Sequence, residues 1–169
     1  MDAATLRAAQ APLKETYRND PNAAFRTLRA EGELRPDGLI CAVMTDIGVA
    51  EAGLHPATGG DGTAVCSGDM LLQALVACAG VTLAAVATAM GIAIKGGTVH
   101  ASGDLDFRGT LGVDKETPVG FTDIRLEFKL ETDAPAPQIE TLLRLTERYC
   151  VVYQTLARSP RIGAAIETG

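Results

Sequence analysis

The sequence predicts an α+β fold, in which strands and helices occupy separate stretches of the chain. Three observations support this class. A long apolar helix follows a first group of strands, two segments beyond it alternate apolar and polar side chains, and an amphipathic helix comes after them. The order strands, helix, strands, helix is typical of α+β proteins and argues against a doubly wound parallel sheet.

Length and composition bound the class of protein further. The chain has 169 residues, of which 47% are hydrophobic and 21% charged, so one domain with its own core is expected. The net charge of -6, with no Lys/Arg cluster interleaved with aromatics, argues against nucleic acid as a partner. The N-terminus lacks a basic start followed by an apolar run, so it is not a secretory signal and we expect a cytoplasmic protein.

The N-terminal third predicts an extension, a hairpin and a loop. Residues 3–17 fit a short amphipathic helix that Pro12 interrupts or ends, so residues 1–24 form a helical extension before a single domain over 25–169. The segments FRTLRAEGEL and LICAVMTDIG flank the turn RPDG, in which Pro36 presets the first central dihedral angle and Gly38 accepts a positive φ, so a hairpin is expected. The Gly-rich stretch LHPATGGDGTAVCSGD is then a loop of the length that often carries function.

The central helix is predicted from Gly68 to Met90, with Ser67 or Asp69 accepting its free N–H groups and Gly91 ending it. It is long enough to cross a membrane. Its composition is dominated by alanine, however, and neither end has a Lys/Arg bias or an aromatic belt, so we expect no membrane partner. A helix without a polar face is instead expected to be buried on all sides of a soluble core.

The rest of the chain predicts strands and a second helix. Two strands lie within IAIKGGTVHASGDLDFRG and GFTDIRLEFKLETD, and SPRIGAAIE predicts a short closing strand. A helix starts at APAPQ between them, with an apolar face built from Ile139, Leu142, Leu143, Leu145, Cys150 and Val151.

The cysteines are the main candidates for chemistry. Four of them in a chain of this size do not form a disulfide scaffold. No pair has C-x-x-C spacing, and His55 and His100 are isolated, so no metal site is expected. Cys41 and Cys66 are interpreted as structural, whereas two packed helices could bring the Cys78 and Cys150 thiols together. Spacing alone leaves open the alternative that each is a small core residue.

Two segments around these cysteines, SGDMLLQALVACAGVTL and LLRLTERYCVVYQTLA, resemble those of the OsmC/Ohr family. SGDMLLQALVACAGVTL is similar to the family's cysteine helix, and the match falls on Leu71, Leu72, Ala74, Leu75, Ala77 and Cys78. LLRLTERYCVVYQTLA is similar to the segment of the second family cysteine, with Cys150 in the matching position. The resemblance extends from about Phe25 to the C-terminus.

The resemblance implies a thiol-dependent peroxidase that reduces organic or inorganic hydroperoxides in oxidative or osmotic stress defence. It implies two small antiparallel sheets around long central helices in an intertwined homodimer. Cys78 would be the peroxidatic thiol and Cys150 the resolving one, with a disulfide between them that a dithiol such as a lipoyl group reduces. No metal or prosthetic cofactor is implied.

The resemblance also implies a charge that activates the thiol, because a buried cysteine is mostly protonated near neutral pH. In the family an arginine from the N-terminal hairpin, held by a glutamate, supplies it. Arg35 is the closest positional match, with Arg26 and Arg29 as rivals. The family's Pro-Glu pair falls on Ser67 and Gly68, so Asp69 is the nearest carboxylate, although it also suits a helix N-terminus. Val151 replaces the family's proline after the second cysteine.

Two other classes of function stay open. One is a non-catalytic dimeric scaffold or small-molecule binding protein that keeps the cysteines without the activating pair. The other is a hydrolase or thioesterase, since strands around a long helix can imitate a hot-dog domain. It has less support, because no Ser-His-Asp order or helix-borne catalytic carboxylate is evident.

Overall fold

The computed structural model of the chain describes residues 1–36 and 38–168. It confirms the α+β class, with two separate sheets and a central helix. The first sheet has the strand order β1-β2-β3-β4, with β1, β2 and β3 antiparallel and β4 parallel to β3. Its strands are β1 (Gly32–Leu34), β2 (Cys41–Thr45), β3 (Gly48–Gly53) and β4 (Val65–Cys66). The second is an antiparallel pair, β5 (Gly96–Leu105) and β6 (Phe121–Glu131).

The helices follow the predicted order, except that one short helix is additional and the last predicted helix is divided into two. They are α1 (Ala3–Asn19), α2 (Ser67–Met90), α3 (Phe107–Thr110), α4 (Ala136–Tyr149) and α5 (Val151–Ala157). Helix α2 packs against α4, α5, β5 and α1. Leu83, Ala87, Ile92 and Leu142 form a buried cluster, so the core lies between the second half of α2 and α4.

Helix α2 is close to its predicted bounds but is not buried on all sides. Gly91 ends it with φ of 71°, a left-handed conformation that glycine adopts at little cost. At its start Cys66 is the cap, so the prediction that Ser67 or Asp69 caps it is wrong. Its buried residues follow a four-residue spacing along a single stripe: Leu75, Ala79, Leu83 and Ala87. Val81 is 73% exposed, because the elements of one chain cover only one side of the helix.

Three other expectations about local structure are wrong. Pro12 does not interrupt α1, since the helix is exposed and water can solvate the one carbonyl that proline leaves unpaired. Residues 25–31 are not a strand, and β1 contributes only residues 32–34 to the hairpin. The segment 159–168 forms no strand and pairs with neither sheet in the described chain. Asp37, in the predicted hairpin turn, lies outside the described residues.

The predicted functional loop contains short regular elements. A turn of 3₁₀-helix at Pro56–Thr58 follows His55, whose Nδ1 accepts the Ala57 N–H at 3.0 Å. The His55 ring also stacks on Phe107 with ring centroids 4.8 Å apart, which ties the loop to α3. The loop then enters β4 and leads directly into α2.

Candidate functional site

The candidate site lies where the middle of α2 meets the junction between α4 and α5. Cys78 is half-buried on α2, whereas Cys150 is fully buried with no exposed surface. Cys150 does not lie within a helix as predicted. It ends α4 and precedes α5, with extended backbone angles of φ -72° and ψ 111°. The fold therefore presents one thiol from a helix and the other from a break between two helices.

The first N–H groups of α5 point to the two sulfur atoms. N–H groups at a helix start have no partner within the helix and must find one elsewhere. Those of Val152 and Val151 lie near the Cys78 sulfur and lower the pKa of that thiol. The Tyr153 N–H donates to Cys150 Sγ at 3.5 Å, so the second thiol caps α5. The break at Cys150 thus supplies hydrogen-bond donors to both thiols.

The pKa of Cys78 lies below the ordinary value of a cysteine. Burial acts against this and raises the pKa, but hydrogen bonds to the sulfur together outweigh it. The donors, in order of effect, are the Val152 N–H, the Cys150 side chain, the Val151 N–H and the Thr82 hydroxyl. The site thereby favours a thiolate at Cys78, which is the nucleophilic form of cysteine.

The pKa of Cys150 moves in the opposite direction. Burial raises it most, and the neighbouring Cys78 raises it further by accepting a hydrogen bond and by its charge. The Tyr153 N–H lowers it only in part. Of the two thiols, Cys78 is therefore the one that ionises more easily, with the Cys150 side chain as a hydrogen-bond donor to it.

The structure does not bring Arg35 to this pair within one chain. Arg35 is exposed beside the β1–β2 turn and lines a groove that Cys41 and Ser67 also line. Ser67 is eleven residues before Cys78 on α2, which is about three turns and about 16 Å along the helix axis. Arg26 and Arg29 lie in the exposed segment before β1.

Asp69 lies on the other side of α2 from Cys78. The two are nine residues apart, which corresponds to a rotation of about 180° around a helix. Asp69 is exposed in the first turn of α2 and lines a groove with Gln73 and Ala101. In this position it fits the alternative interpretation, a negative charge at a helix N-terminus.

The remaining candidates lie elsewhere. Cys41 is half-buried in β2 close to Gly32, and Cys66 is half-buried at the start of α2. His100 is exposed on β5 with Nε2 3.0 Å from Thr98 Oγ1. In the part of the chain that the structure describes, no three His, Cys, Asp or Glu side chains group as metal ligands.

Comparison with protein-family models identifies the family of this chain. The family model for OsmC-like protein matches residues 60–164, which include α2, both cysteines and the break between α4 and α5. The chain belongs to the OsmC-like family. This confirms the resemblance that the two cysteine segments indicated. A sequence search of curated proteins finds no match to this OsmC-like protein.

Solved structures of the same family share the fold. The OsmC-like protein from Mycoplasma pneumoniae superposes with a TM-score of 0.67 at 16% identity, over 79% of this chain and 89% of that one. An organic hydroperoxide resistance protein OsmC from Legionella pneumophila gives 0.60 at 19% identity, over 80% and 92%. OhrB of Bacillus subtilis, an organic hydroperoxide resistance protein, gives 0.51 at 20%, over 78% and 92%. At these identities the likeness establishes the fold.

Helix α2 of this OsmC-like protein is long and apolar enough to cross a membrane, but a stripe of it packs against α4 and β5 as the core helix of the fold.

Sequence reasoning missed several residues of the site in this OsmC-like protein. Thr82 carried a usable signal, because it is four residues after Cys78 and so lies one helical turn away on the same face. Val151 and Val152 act through backbone N–H groups, which no side-chain pattern reveals. Gln154 bonds a backbone carbonyl across the break, and nothing in its sequence context indicates that contact.

Proposed function

We propose that this protein is a thiol-dependent peroxidase that reduces organic hydroperoxides through Cys78 and Cys150. The observation that carries the proposal is the pair of adjacent thiols with opposite pKa shifts, lowered at Cys78 and raised at Cys150. A peroxidatic cysteine acts as a thiolate, and a resolving cysteine next to it then condenses with the sulfenic acid that forms. The names of two structural relatives, organic hydroperoxide resistance proteins, support the same substrate class.

The reaction has three steps. The Cys78 thiolate attacks the terminal oxygen of the hydroperoxide, the O–O bond breaks, and the alkoxide takes a proton to leave as an alcohol. Cys78 is now a sulfenic acid. The Cys150 thiol condenses with it, an S–S bond forms and water leaves. A dithiol reductant, such as a lipoyl group, then returns both cysteines to thiols and becomes a disulfide itself. This cycle needs no metal, and a reducing compartment such as the cytoplasm supplies its thiols.

We further propose that the active form is a homodimer. The side of α2 that one chain leaves uncovered is apolar, and Ala77, Val81 and Ala84 are exposed on it. A continuous apolar surface of this kind marks an interaction site. Within one chain Arg35 lies far from Cys78, so its proposed activating role requires that a second copy bring it there. Asp69 is proposed as the carboxylate that would hold Arg35, and because it faces away from the Cys78 of its own chain, it could do so only across the dimer.

The test is disulfide mapping by mass spectrometry after reaction with cumene hydroperoxide. The wild type is expected to form the Cys78–Cys150 bond within the first turnover. Cys150→Ser is expected to accumulate sulfenic and then sulfinic acid at Cys78, and Cys78→Ser is expected to leave the hydroperoxide unreduced. Cys41→Ser is the matched control and should behave as the wild type does. If both thiols of the wild type stay reduced while the hydroperoxide persists, the proposal fails.

The geometry also favours a second candidate, a non-catalytic dimeric scaffold or small-molecule binding protein. The observation behind it is that the groups lowering the Cys78 pKa are hydrogen-bond donors rather than a guanidinium. The same experiment separates the two, because a scaffold predicts reduced thiols and intact hydroperoxide in every variant.

A further inference from the structure

The break between α4 and α5 has no proline or glycine to cause it. The segment from Gln138 to Ser159 contains neither residue, yet the helix stops at Tyr149 and restarts at Val151. Helix breaks have identifiable causes, which are usually proline, glycine or an inserted side chain. Side-chain hydrogen bonds are present on both sides of this break.

Gln154 makes the hydrogen bond that satisfies the backbone on the N-terminal side of the break. In an uninterrupted helix the carbonyl of Glu147 would accept the N–H of Val151, four residues later. The Val151 N–H does not bond to it and instead lies near the Cys78 sulfur, where it lowers the pKa of that thiol. The Gln154 side-chain Nε2 donates to the Glu147 carbonyl at 2.8 Å and takes the place of that lost helical bond.

Cys150 supplies the hydrogen-bond acceptors on the C-terminal side of the break. Its Sγ accepts the Tyr153 N–H at 3.5 Å, and its carbonyl accepts the Gln154 N–H at 3.0 Å. Gln154 is therefore bonded on both sides of the break, through its backbone to Cys150 and through its side chain to Glu147. It is half-buried, so the Glu147 carbonyl cannot be fully satisfied by water if the amide is removed.

We propose that Gln154 is a positioning residue for the resolving step: its amide holds the break open and so keeps the Cys150 sulfur beside Cys78. This inference rests on the proposed peroxidase function and assigns a residue to its second step. Without the amide, the Glu147 carbonyl competes with Cys78 for the Val151 N–H. The segment then tends to close into one continuous helix, which withdraws Cys150 and removes a donor from Cys78.

The test compares Gln154→Ala with Gln138→Ala, an exposed glutamine on α4 that serves as the matched control. The measured quantity is the partition of Cys78 sulfenic acid between disulfide and sulfinic acid at rising cumene hydroperoxide. A typical hydrogen bond corresponds to about a fivefold change in an equilibrium constant, so Gln154→Ala should need about fivefold less hydroperoxide to reach half overoxidation. Gln138→Ala should match the wild type.

A rescue variant separates positioning from general destabilisation. Proline at position 151 has no N–H for the Glu147 carbonyl, and its ring clashes with that carbonyl in a continuous helix. It also suits the first position of α5. Gln154→Ala with Val151→Pro should therefore recover the disulfide partition. The recovered enzyme should still show a raised Cys78 pKa in its pH profile, because the Val151 N–H is gone.

A second oxidant tests the positioning role of Gln154 separately from the peroxidase activity. Diamide takes two electrons from a pair of thiols and leaves a disulfide without any hydroperoxide. If diamide closes Cys78–Cys150 more slowly in Gln154→Ala than in Gln138→Ala, the positioning role stands even where hydroperoxide fails to react. Equal partitions and equal diamide rates in these two variants would overturn it, as would failure of diamide to form the bond in the wild type.

Discussion

Replacing Thr82 by valine tests whether hydrogen bonds activate Cys78. The Thr82 hydroxyl is the weakest of the four donors that lower the Cys78 pKa, and valine keeps the branched shape while removing the donor. Loss of the bond makes the thiolate less stable, so the pKa of Cys78 rises and less thiolate is present at neutral pH. Reaction with an electrophile should slow accordingly.

The size of the effect follows from the energy of one such bond. A hydrogen bond to a charged group contributes about 1.5 kcal/mol at the lower end of its range. A difference of about 1.4 kcal/mol changes an ionisation constant tenfold. Since Thr82 is the weakest donor, we expect Thr82→Val to slow alkylation of Cys78 by about threefold to tenfold near neutral pH. The difference should vanish at a pH where both proteins are fully ionised.

The assay follows iodoacetamide alkylation of the peptide that contains Cys78 across a range of pH. Peptide mapping separates Cys78 from the other cysteines, so no further substitution is needed. Thr88→Val, on another face of α2, is the control and should leave the profile unchanged. A profile for Thr82→Val that coincides with that of the wild type, or that moves to lower pH, would refute the view that hydrogen bonds lower the Cys78 pKa.

Two further predictions concern assembly and acid stability. Val81→Glu places a charge on the exposed apolar side of α2, and a two-fold interface contains that charge twice. Light scattering should therefore report a monomer for this variant and a dimer for the wild type. A dimer that persists in the variant would contradict an interface through α2. Asp106 has its pKa lowered to about 2 by hydrogen bonds to Arg108. The pKa of Asp106 in the folded state lies below its unfolded value of 3.8. The ionised carboxylate therefore stabilises the fold fully above pH 3.8, and this stabilisation is lost as the pH falls towards about 2. Asp106→Asn should make urea stability less dependent on pH in that window while keeping an oxygen to cap α3, and an unchanged dependence would show that this ion pair is not stabilising.

Some elements were predictable because their cause is local. Helix α2 is defined by a long apolar run that ends at Gly91, and both features are visible in the sequence. Strand β6 was evident from the alternation of Ile124, Leu126 and Phe128, which the burial pattern of the strand follows. The order of the main elements, and hence the α+β class, follows from such patterns.

Other features depend on contacts between distant residues. Sequence spacing left the pairing of Cys78 with Cys150 open, and only the family resemblance pointed to it. The break at Cys150 was not predictable, because it depends on a bond between residues seven positions apart rather than on a helix-breaking residue. The exposed side of α2 was also missed, since an apolar helix looks the same in sequence whether its own chain or another copy covers it.

The uncovered side of α2 affects the stability and solubility of a newly made chain before it dimerises. In the proposed homodimer, the apolar surface of α2 leaves water only on association, so folding and pairing become one equilibrium governed by mass action. The melting temperature should then rise with protein concentration, and dilution alone should destabilise the protein. A newly made chain in a dilute compartment would present this surface to chaperones and to aggregation until a second copy arrives.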